Sequence, residues 1–326
     1  MTGLCMVLPA MTPPACRSST PPPRMRWLFF VLFIVWMAAL PRACLAQAGP
    51  LPPAQTVRFP SADGRTDLTG YLFSPSGAGP HPAIVLLHGR AGPYSGRVSS
   101  QCTLVAPGIP SPCDGDTLSQ RHLAWTAYWI KRGYLVLHVD SFGPRGVAHG
   151  FGRHTHGAPE RDEVNELTVR PLDAEGALAW LAPRQEVNPA RIMLQGWSNG
   201  ASTALNVMQR QADRAAGRPA FAAALVFYPG CGRQALLSRT PALDRPVQVL
   251  LGGADEEVSP ATCQRVLQRV LRIRQTDAPV VTVYPGATHD FDDPGRARQA
   301  VAANRLAHED ALARLGDWLD RVPSLP

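Results

Sequence analysis

A serine flanked by glycines is the strongest chemical signal in the sequence. Residues 196–200 (GWSNG) fit the pattern G-x-S-x-G and lie between an apolar run and a helical pattern. This pattern is typical of a nucleophilic serine, because the sharp turn between strand and helix exposes the hydroxyl oxygen. Gly196 and Gly200 are expected where strand and helix backbones come too close for a side chain. The motif predicts that Ser198 attacks a carbonyl carbon.

The nucleophile needs a base to take its proton and an acid to orient that base. Where a G-x-S-x-G turn carries the serine, an acidic residue and then a histidine follow it in the chain. Only His289 and His308 follow Ser198, and His308 falls inside an amphipathic helical pattern. His289 comes directly after an apolar run that predicts the last strand. It is therefore the predicted base.

The acid is expected after the apolar run that precedes the His289 run. Asp255, Glu256 and Glu257 follow that earlier run in succession. Asp255 comes first after the turn and is predicted as the acid, with Glu256 as the alternative. Glu256 and Glu257 are otherwise expected to cap or begin the next helix, where negative charge is stabilised.

Two backbone N–H groups are expected to stabilise the negative oxygen that forms during attack. One belongs to Asn199, which follows the nucleophile and begins a helix. The other is predicted in the loop after an apolar run, on Gly89 or Arg90. We interpret His88, at the end of that run, as structural.

The elements that must position these groups alternate along the chain. Alternating strands and helices predict an α/β fold with a mostly parallel central sheet and helices on both faces. The strands are predicted at Thr56–Phe59, Leu68–Phe73, Ala83–His88, Tyr134–Val139, Arg191–Gln195, Ala222–Tyr228, Val247–Leu251 and Val280–Tyr284. The helices are predicted at Leu118–Arg132, Arg161–Leu181 (broken at Pro171), Asn199–Gln211, Pro260–Arg274 and Arg296–Arg321. Residues 89–118 and 141–159 are predicted as long loops.

The N-terminus has the pattern of an export signal. Arginines precede a 14-residue apolar run, Trp27–Leu40, and small residues follow it. A run this short favours a secretory signal peptide at 1–46, cleaved after Ala46 or Ala48, over an uncleaved anchor. The start is Met1 or Met25. A linker at 47–55 and one catalytic domain at 56–322 are expected in a periplasmic or secreted protein whose mature chain is not inserted in a membrane.

The composition excludes several classes of protein. With 45% apolar and 17% charged residues, the chain is not intrinsically disordered. Residues 1–46 hold four arginines and no acid, so their loss lowers the net charge from +7 to +3. Of the 32 basic residues only Lys131 is lysine, and no basic stripe is interleaved with aromatic residues. Nucleic acid is therefore not an expected partner. The sequence does not indicate an oligomeric state.

Four cysteines remain after the signal peptide: Cys102, Cys113, Cys231 and Cys263. An even number in an exported protein predicts disulfide bonds, with three possible connectivities. Because Cys102 and Cys113 share one loop, we favour Cys102–Cys113 together with Cys231–Cys263. Four buried thiols are the alternative.

The chain resembles the dienelactone hydrolase family, over roughly residues 56–320. The matching motifs are HGRAG at 88–92, DSFGPRG at 140–146, GWSNG at 196–200, FYPG at 227–230, GGADEEV at 252–258 and YPGATHDF at 284–291. The resemblance implies an α/β-hydrolase fold and the triad Ser198, Asp255 and His289, with no metal and no organic cofactor. Two departures stand out: the family's namesakes have a cysteine nucleophile, and they have a glutamate just after the histidine that ends the strand, where this chain has Gly89 and then Arg90. A small-molecule ester or lactone is therefore expected as substrate, rather than dienelactone itself.

Weaker signals concern the substrate and a metal. Arg145, in the loop after a predicted strand, and Tyr228, at the end of another, are candidates for binding the substrate, although Arg145 would otherwise hold its own loop. His149, His154 and His156 cluster ahead of Asp162, but their spacing matches neither a pair on one helix face nor a zinc finger, so no metal is expected.

Two other functions remain open. A peptidase of the prolyl oligopeptidase type would use the same triad, but the chain lacks a propeller-sized domain to restrict access. A non-catalytic binding protein with a hydrolase fold is the other alternative, and a complete set of triad candidates argues against it.

Overall fold

The structure is a computed structural model of the chain. It describes residues 50–153, 155, 157–213, 217–232, 235–273, 279–320 and 322. The expected signal peptide at 1–46, both cleavage positions and the start of the linker lie outside the described residues. Within the described part of the chain, no helix has the length and apolar character that crossing a membrane requires.

One sheet of eight strands runs through the described region. The strands are β1 (Gln55–Pro60), β2 (Asp67–Phe73), β3 (His81–Leu87), β4 (Leu135–Asp140), β5 (Val187–Trp197), β6 (Ala223–Phe227), β7 (Val247–Gly252) and β8 (Val280–Tyr284). Their order across the sheet is β1-β2-β4-β3-β5-β6-β7-β8. Strand β2 pairs antiparallel with β1 and with β4, and every other pair is parallel. The sheet is mostly parallel, as the sequence predicted.

Helices cover both faces of this sheet. They are α1 (Gln120–Ile130), α2 (Arg170–Leu181), α3 (Asn199–Ala212), α4 (Pro260–Ile273), α5 (Arg296–Gln299) and α6 (Ala302–Leu319). Strand β3 shows why two cores form: Ala83, Val85 and Leu87 pack with α2, α3 and α4, whereas Ile84 and Leu86 pack with α1 and α6. Successive side chains of a strand point to opposite faces, and both faces of β3 are covered, so the run is continuously apolar.

Two helix predictions are wrong at their boundaries. The pattern over Arg161–Leu181 splits into a short 3-10 helix, Pro159–Val164, and α2, which begins at Arg170. Pro171 lies in the first turn of α2 and does not break it. The N–H groups of the first turn have no acceptor within the helix, so a proline there removes no helical hydrogen bond. The last helix is interrupted at Val301, whose backbone is extended, and so forms α5 and α6.

The cysteines pair as the sequence favoured. Cys102 is bonded to Cys113 and Cys231 to Cys263. The first bond closes a loop within residues 89–118, which also contains two short 3-10 helices. The second joins the segment after β6 to α4. Both bonds therefore hold loops beside the carboxyl ends of the parallel strands.

Candidate active site

Ser198 lies at the sharp turn between β5 and α3. Its backbone has φ +52° and ψ −114°, a conformation that residues with side chains rarely adopt. A β-carbon on Gly196 would overlap the carbonyl oxygen of Gly200, and one on Gly200 would overlap that of Leu87. The glycines of the motif are thus required by backbone contact. The strained turn presents the Ser198 hydroxyl at the end of the strand.

His289 and Asp255 reach this hydroxyl from the two neighbouring loops. The Nε2 atom of His289 lies 3.0 Å from Ser198 Oγ, and its Nδ1 atom lies 2.8 Å from Asp255 Oδ2. Only 1% of each side chain of the His289–Asp255 pair is exposed. The backbone N–H groups of Glu257 and Val258 donate to the other oxygen of Asp255, at 2.8 and 2.9 Å. These bonds fix the carboxylate so that it holds the imidazole towards the serine.

Glu256 and Glu257 have roles other than the expected helix cap. The carboxylate of Glu256 accepts from the backbone N–H of His289 at 2.9 Å, so it holds the loop and not the imidazole ring. Glu257 forms a two-pronged ion pair with Arg90, and its Oε2 lies 3.8 Å from His289 Nε2. Helix α4 begins only at Pro260, which places both glutamates in the preceding loop. The helix-cap prediction is therefore wrong.

A buried carboxylate secures the loop that carries His289. Asp292 is fully buried, and its Oδ2 accepts from the indole N–H groups of Trp125 at 2.8 Å and Trp197 at 2.7 Å. Its Oδ1 accepts from the Tyr228 hydroxyl. Sequence reasoning missed Asp292; the signal was the buried Trp and Tyr side chains, whose N–H and O–H groups need acceptors.

Tyr228 does not present its hydroxyl to a substrate, because Asp292 takes that hydroxyl in the core. Its ring instead packs against the imidazole of His289, with 4.5 Å between the ring centres. The sequence-based assignment of Tyr228 to substrate binding is corrected accordingly. The residue supports the histidine.

Arg145 is also occupied by the protein itself. Its guanidinium makes two 2.8 Å hydrogen bonds to the Asp173 carboxylate and one of 2.7 Å to the Ser141 carbonyl. Arg145 lines neither of the cavities that meet at Ser198. The expected contact with a substrate carboxylate is replaced by an internal ion pair, so Arg145 holds the loop after β4.

The loop after β3 lies directly against the nucleophile turn. A β-carbon on Gly89 would come within 3.4 Å of the Trp197 carbonyl oxygen and 3.6 Å of Ser198 Cβ. The Arg90 side chain is engaged by Glu257, which leaves its backbone N–H as the group available to a substrate. On the opposite side, Asn199 is the first residue of α3, so its N–H has no acceptor within the helix.

His88 carries no free nitrogen for proton transfer. Its Nδ1 lies 2.7 Å from the Gly89 carbonyl oxygen, and its Nε2 accepts from the Ser141 N–H at 3.3 Å. Burial and then the nearby charge of Arg170 hold the pKa of His88 well below its usual value. The neutral ring therefore joins the loop after β3 to the loop after β4, in agreement with its structural interpretation.

Two cavities meet at Ser198 and Glu257. One, of about 310 Å³, is lined by polar residues that include Glu166, Asn199 and Ser202 and by apolar residues that include Cys231 and Val258. The other, of about 170 Å³, is lined by Gly89, Arg90, Tyr94, Arg121, His122 and His289. Burial and then the Arg121 charge lower the pKa of His122 to about 4, so it is neutral at physiological pH. A bound molecule can extend from the serine in two directions.

The histidine cluster that the sequence shows without a metal-binding spacing is only partly described. His154 and His156 lie outside the described residues, and His149 is exposed. Elsewhere in the described chain, ligand atoms of Glu257, His289 and Asp290 lie within 4.8 Å of one another. Because the nitrogens of His289 already bind Asp255 and Ser198, this group suits proton transfer better than metal ligation.

The sequence of this chain matches a known protein family. Residues 122–322 match the sequence model of the dienelactone hydrolase family, a span that contains Ser198, Asp255 and His289. An uncharacterized protein of Mycobacterium tuberculosis strain H37Rv is 25% identical over 278 residues. That alignment covers 80% of this chain and 83% of the relative.

Solved structures share the fold. A dienelactone hydrolase-like promiscuous phosphotriesterase from metagenomic libraries superposes with a TM-score of 0.60 at 17% identity, covering 84% of this chain and 99% of that one. Esterase 2 of Thermogutta terrifontis, phosphorylated by paraoxon, gives a TM-score of 0.57 at 19% identity, covering 85% and 96%. At these identities the likeness concerns the architecture alone, and it agrees with the α/β-hydrolase fold expected from the sequence.

Proposed function

We propose that this protein cleaves carboxylic esters or lactones through an acyl-enzyme on Ser198. The chain belongs to the dienelactone hydrolase family and is a hydrolase acting on esters. One observation carries the proposal: Ser198 Oγ, His289 and Asp255 form a hydrogen-bonded chain, with links of 3.0 and 2.8 Å. A serine in this relation to a histidine and a buried carboxylate is suited to nucleophilic attack.

In the first half of the reaction, His289 Nε2 takes the proton of Ser198 as Oγ attacks the ester carbonyl carbon. The resulting oxyanion accepts hydrogen bonds from the N–H of Asn199 and from the backbone of Gly89 or Arg90. Asp255, bonded to His289 Nδ1, fixes the tautomer and stabilises the imidazolium. The imidazolium then gives its proton to the leaving alcohol, and the acyl group stays on Ser198.

In the second half, water takes the place of the alcohol. His289 removes a proton from the water, which attacks the acyl-enzyme, and the same N–H groups hold the second oxyanion. Collapse of this intermediate returns the proton to Ser198 and releases the acid. All of these steps use residues of this chain.

The two cavities indicate how the substrate lies. The leaving alcohol must reach His289, so it occupies the cavity of about 170 Å³ that His289 lines. The acyl group then occupies the cavity of about 310 Å³, whose lining includes the carboxylate residues Glu166 and Glu257. We expect short or polar acyl groups to be favoured over long alkyl chains, because a long alkyl chain in this cavity would desolvate the two carboxylates.

Acyl chain length is expected to discriminate strongly. We expect kcat/KM for p-nitrophenyl acetate and butanoate to exceed that for the decanoate by at least about tenfold, since a long alkyl chain would desolvate the carboxylates of Glu166 and Glu257. Prolyl and alanyl p-nitroanilides should be cleaved far more slowly, which separates this proposal from a peptidase. A preference for the decanoate would contradict the assignment of the acyl cavity. Faster cleavage of an anilide than of any ester would favour the peptidase.

We further propose that the protein is exported. The N-terminal pattern and the two disulfide bonds support this, since disulfides persist in oxidising compartments. When the full chain is expressed in a Gram-negative host, the protein recovered from the periplasm should begin at Gln47 or Gly49. Recovery of the intact N-terminus in the membrane fraction would instead indicate an uncleaved anchor.

A further inference from the structure

The two halves of the oxyanion site come from different elements. Gly89 and Arg90 lie in the loop after β3, whereas Asn199 begins α3. Stabilisation of an oxyanion depends on donors held in place before the reaction, and a displacement of about 1 Å can cost about 10²-fold in rate. Some contact must therefore fix the separation of these two backbone segments.

Arg170, the first residue of α2, contacts both segments. Its Nη1 donates to the side-chain oxygen of Asn199. Its Nη2 donates to the backbone carbonyl of His88, immediately before Gly89, at 2.8 Å. A single planar guanidinium thus bridges the residue after the nucleophile and the residue before the oxyanion loop.

We propose that Arg170 is a positioning residue that sets the spacing of the two oxyanion N–H groups. The role rests on the proposed function, because it presupposes that Asn199 and the loop after His88 hold an oxyanion. Arg170 does not touch the substrate. It acts through the two backbone segments that it joins.

Arg170 keeps its positive charge although it is buried. The residue is fully buried, and burial lowers its pKa to about 10, with the charges of Asp173 and Glu166 opposing that change. The guanidinium therefore remains cationic at neutral pH. The Cζ atom of Arg170 lies 5.1 Å from the centre of the Phe142 ring, a cation–π contact that helps to fix the orientation of the guanidinium.

Asn199 is held from both sides of its amide. Glu166 accepts from the amide nitrogen at 2.7 Å, while Arg170 donates to the amide oxygen. The side chain therefore cannot rotate without breaking a buried charged hydrogen bond, which costs more than a neutral one. This pairing fixes the first turn of α3, where the Asn199 N–H is directed at the oxyanion.

The substitution Arg170→Lys retains the positive charge but not the planar guanidinium with its two donating nitrogens. An ammonium on a flexible stem does not reproduce the planar, two-pronged geometry of a guanidinium, so one of the two segments is released. We expect Arg170→Lys to lower kcat for p-nitrophenyl butanoate by about 10²-fold, with KM changed by less than about threefold. The Ki of a matching trifluoromethyl ketone, which forms a tetrahedral oxyanion adduct on the serine, should rise in parallel with the loss of kcat/KM.

Arg210→Lys is the matched control. Arg210 bonds Glu175 at 2.8 Å and so joins α3 to α2, the same two helices, at a distance from the oxyanion site. It should lower the melting temperature without changing kcat or the ratio of Ki to KM. A purely structural role for Arg170 would make the two variants behave alike.

The outcomes are distinguishable. Arg170→Lys with kcat within about threefold of wild type, or with a change in KM alone, would overturn the inference. If that variant does not fold, Asn199→Ala takes its place, since it removes the acceptor but keeps the backbone N–H. A parallel loss of kcat and of ketone affinity in Asn199→Ala supports the inference, and an unchanged kcat overturns it. A wild-type activity insensitive to Ser198→Ala would overturn the proposed function and this inference together.

Discussion

Replacing Ser198 with alanine is expected to lower kcat for p-nitrophenyl butanoate by about 10⁴- to 10⁶-fold. The hydroxyl is the only group at the turn within hydrogen-bonding distance of His289 Nε2, at 3.0 Å, among the described residues. Without it, the histidine can only activate water, and the oxyanion donors supply the remaining rate acceleration. The fold should be retained, because the change removes one oxygen atom.

His289→Ala should lower kcat by about the same factor as Ser198→Ala. The double variant should lower kcat no further than either single variant. Residues that act as one unit give non-additive losses, because removing one member already disables the others. Ser238→Ala is a matched control, since that hydroxyl donates to the Ala235 carbonyl at 2.7 Å and Ser238 lines neither cavity at Ser198. Retention of more than about a tenth of wild-type kcat in Ser198→Ala would show that another group attacks the ester.

The second large effect is expected at Asp255. Asp255→Asn should lower kcat by about 10⁴-fold, because the amide favours the wrong tautomer of His289 and does not stabilise the imidazolium. Glu256→Gln should cost less than about tenfold. That carboxylate binds the His289 backbone N–H at 2.9 Å, and an amide oxygen can accept the same bond.

These two variants decide between neighbouring carboxylates that the sequence alone left open. Steady-state kinetics of both, with melting temperatures to exclude unfolding, provide the comparison. A larger loss in Glu256→Gln than in Asp255→Asn would reverse the assignment of the acid.

The sequence could predict which three side chains meet at the candidate site because their determinants are local. Gly196 and Gly200 are required by backbone contacts on either side of Ser198, and such contacts leave a short motif. His289 and Asp255 follow the strands that present them, so chain order and apolar runs were enough to select them. The same runs predicted the strands, because buried parallel strands are continuously apolar.

The residues that hold the site in place could not be found in this way. Arg170 and Asp292 act through partners far away in the chain, as the bonds from Arg170 to His88 and from Trp125 to Asp292 show. Arg145 was a candidate for substrate binding for the same reason: nothing near it in sequence indicates its ion pair with Asp173. A local sequence pattern indicates where a strand, a helix or a turn lies. Ion pairs between such elements form only in the packed fold, so no local pattern indicates them.

The most direct test of the account is to locate the covalent adduct that a fluorophosphonate forms with the active protein. Intact mass should increase by one phosphonyl group in step with the loss of esterase activity, and peptide mapping should place that group on Ser198. The Ser198→Ala protein should remain unlabelled. Stoichiometric labelling at any other residue, or full inactivation with Ser198 unmodified, would contradict the assignment of Ser198 as the nucleophile.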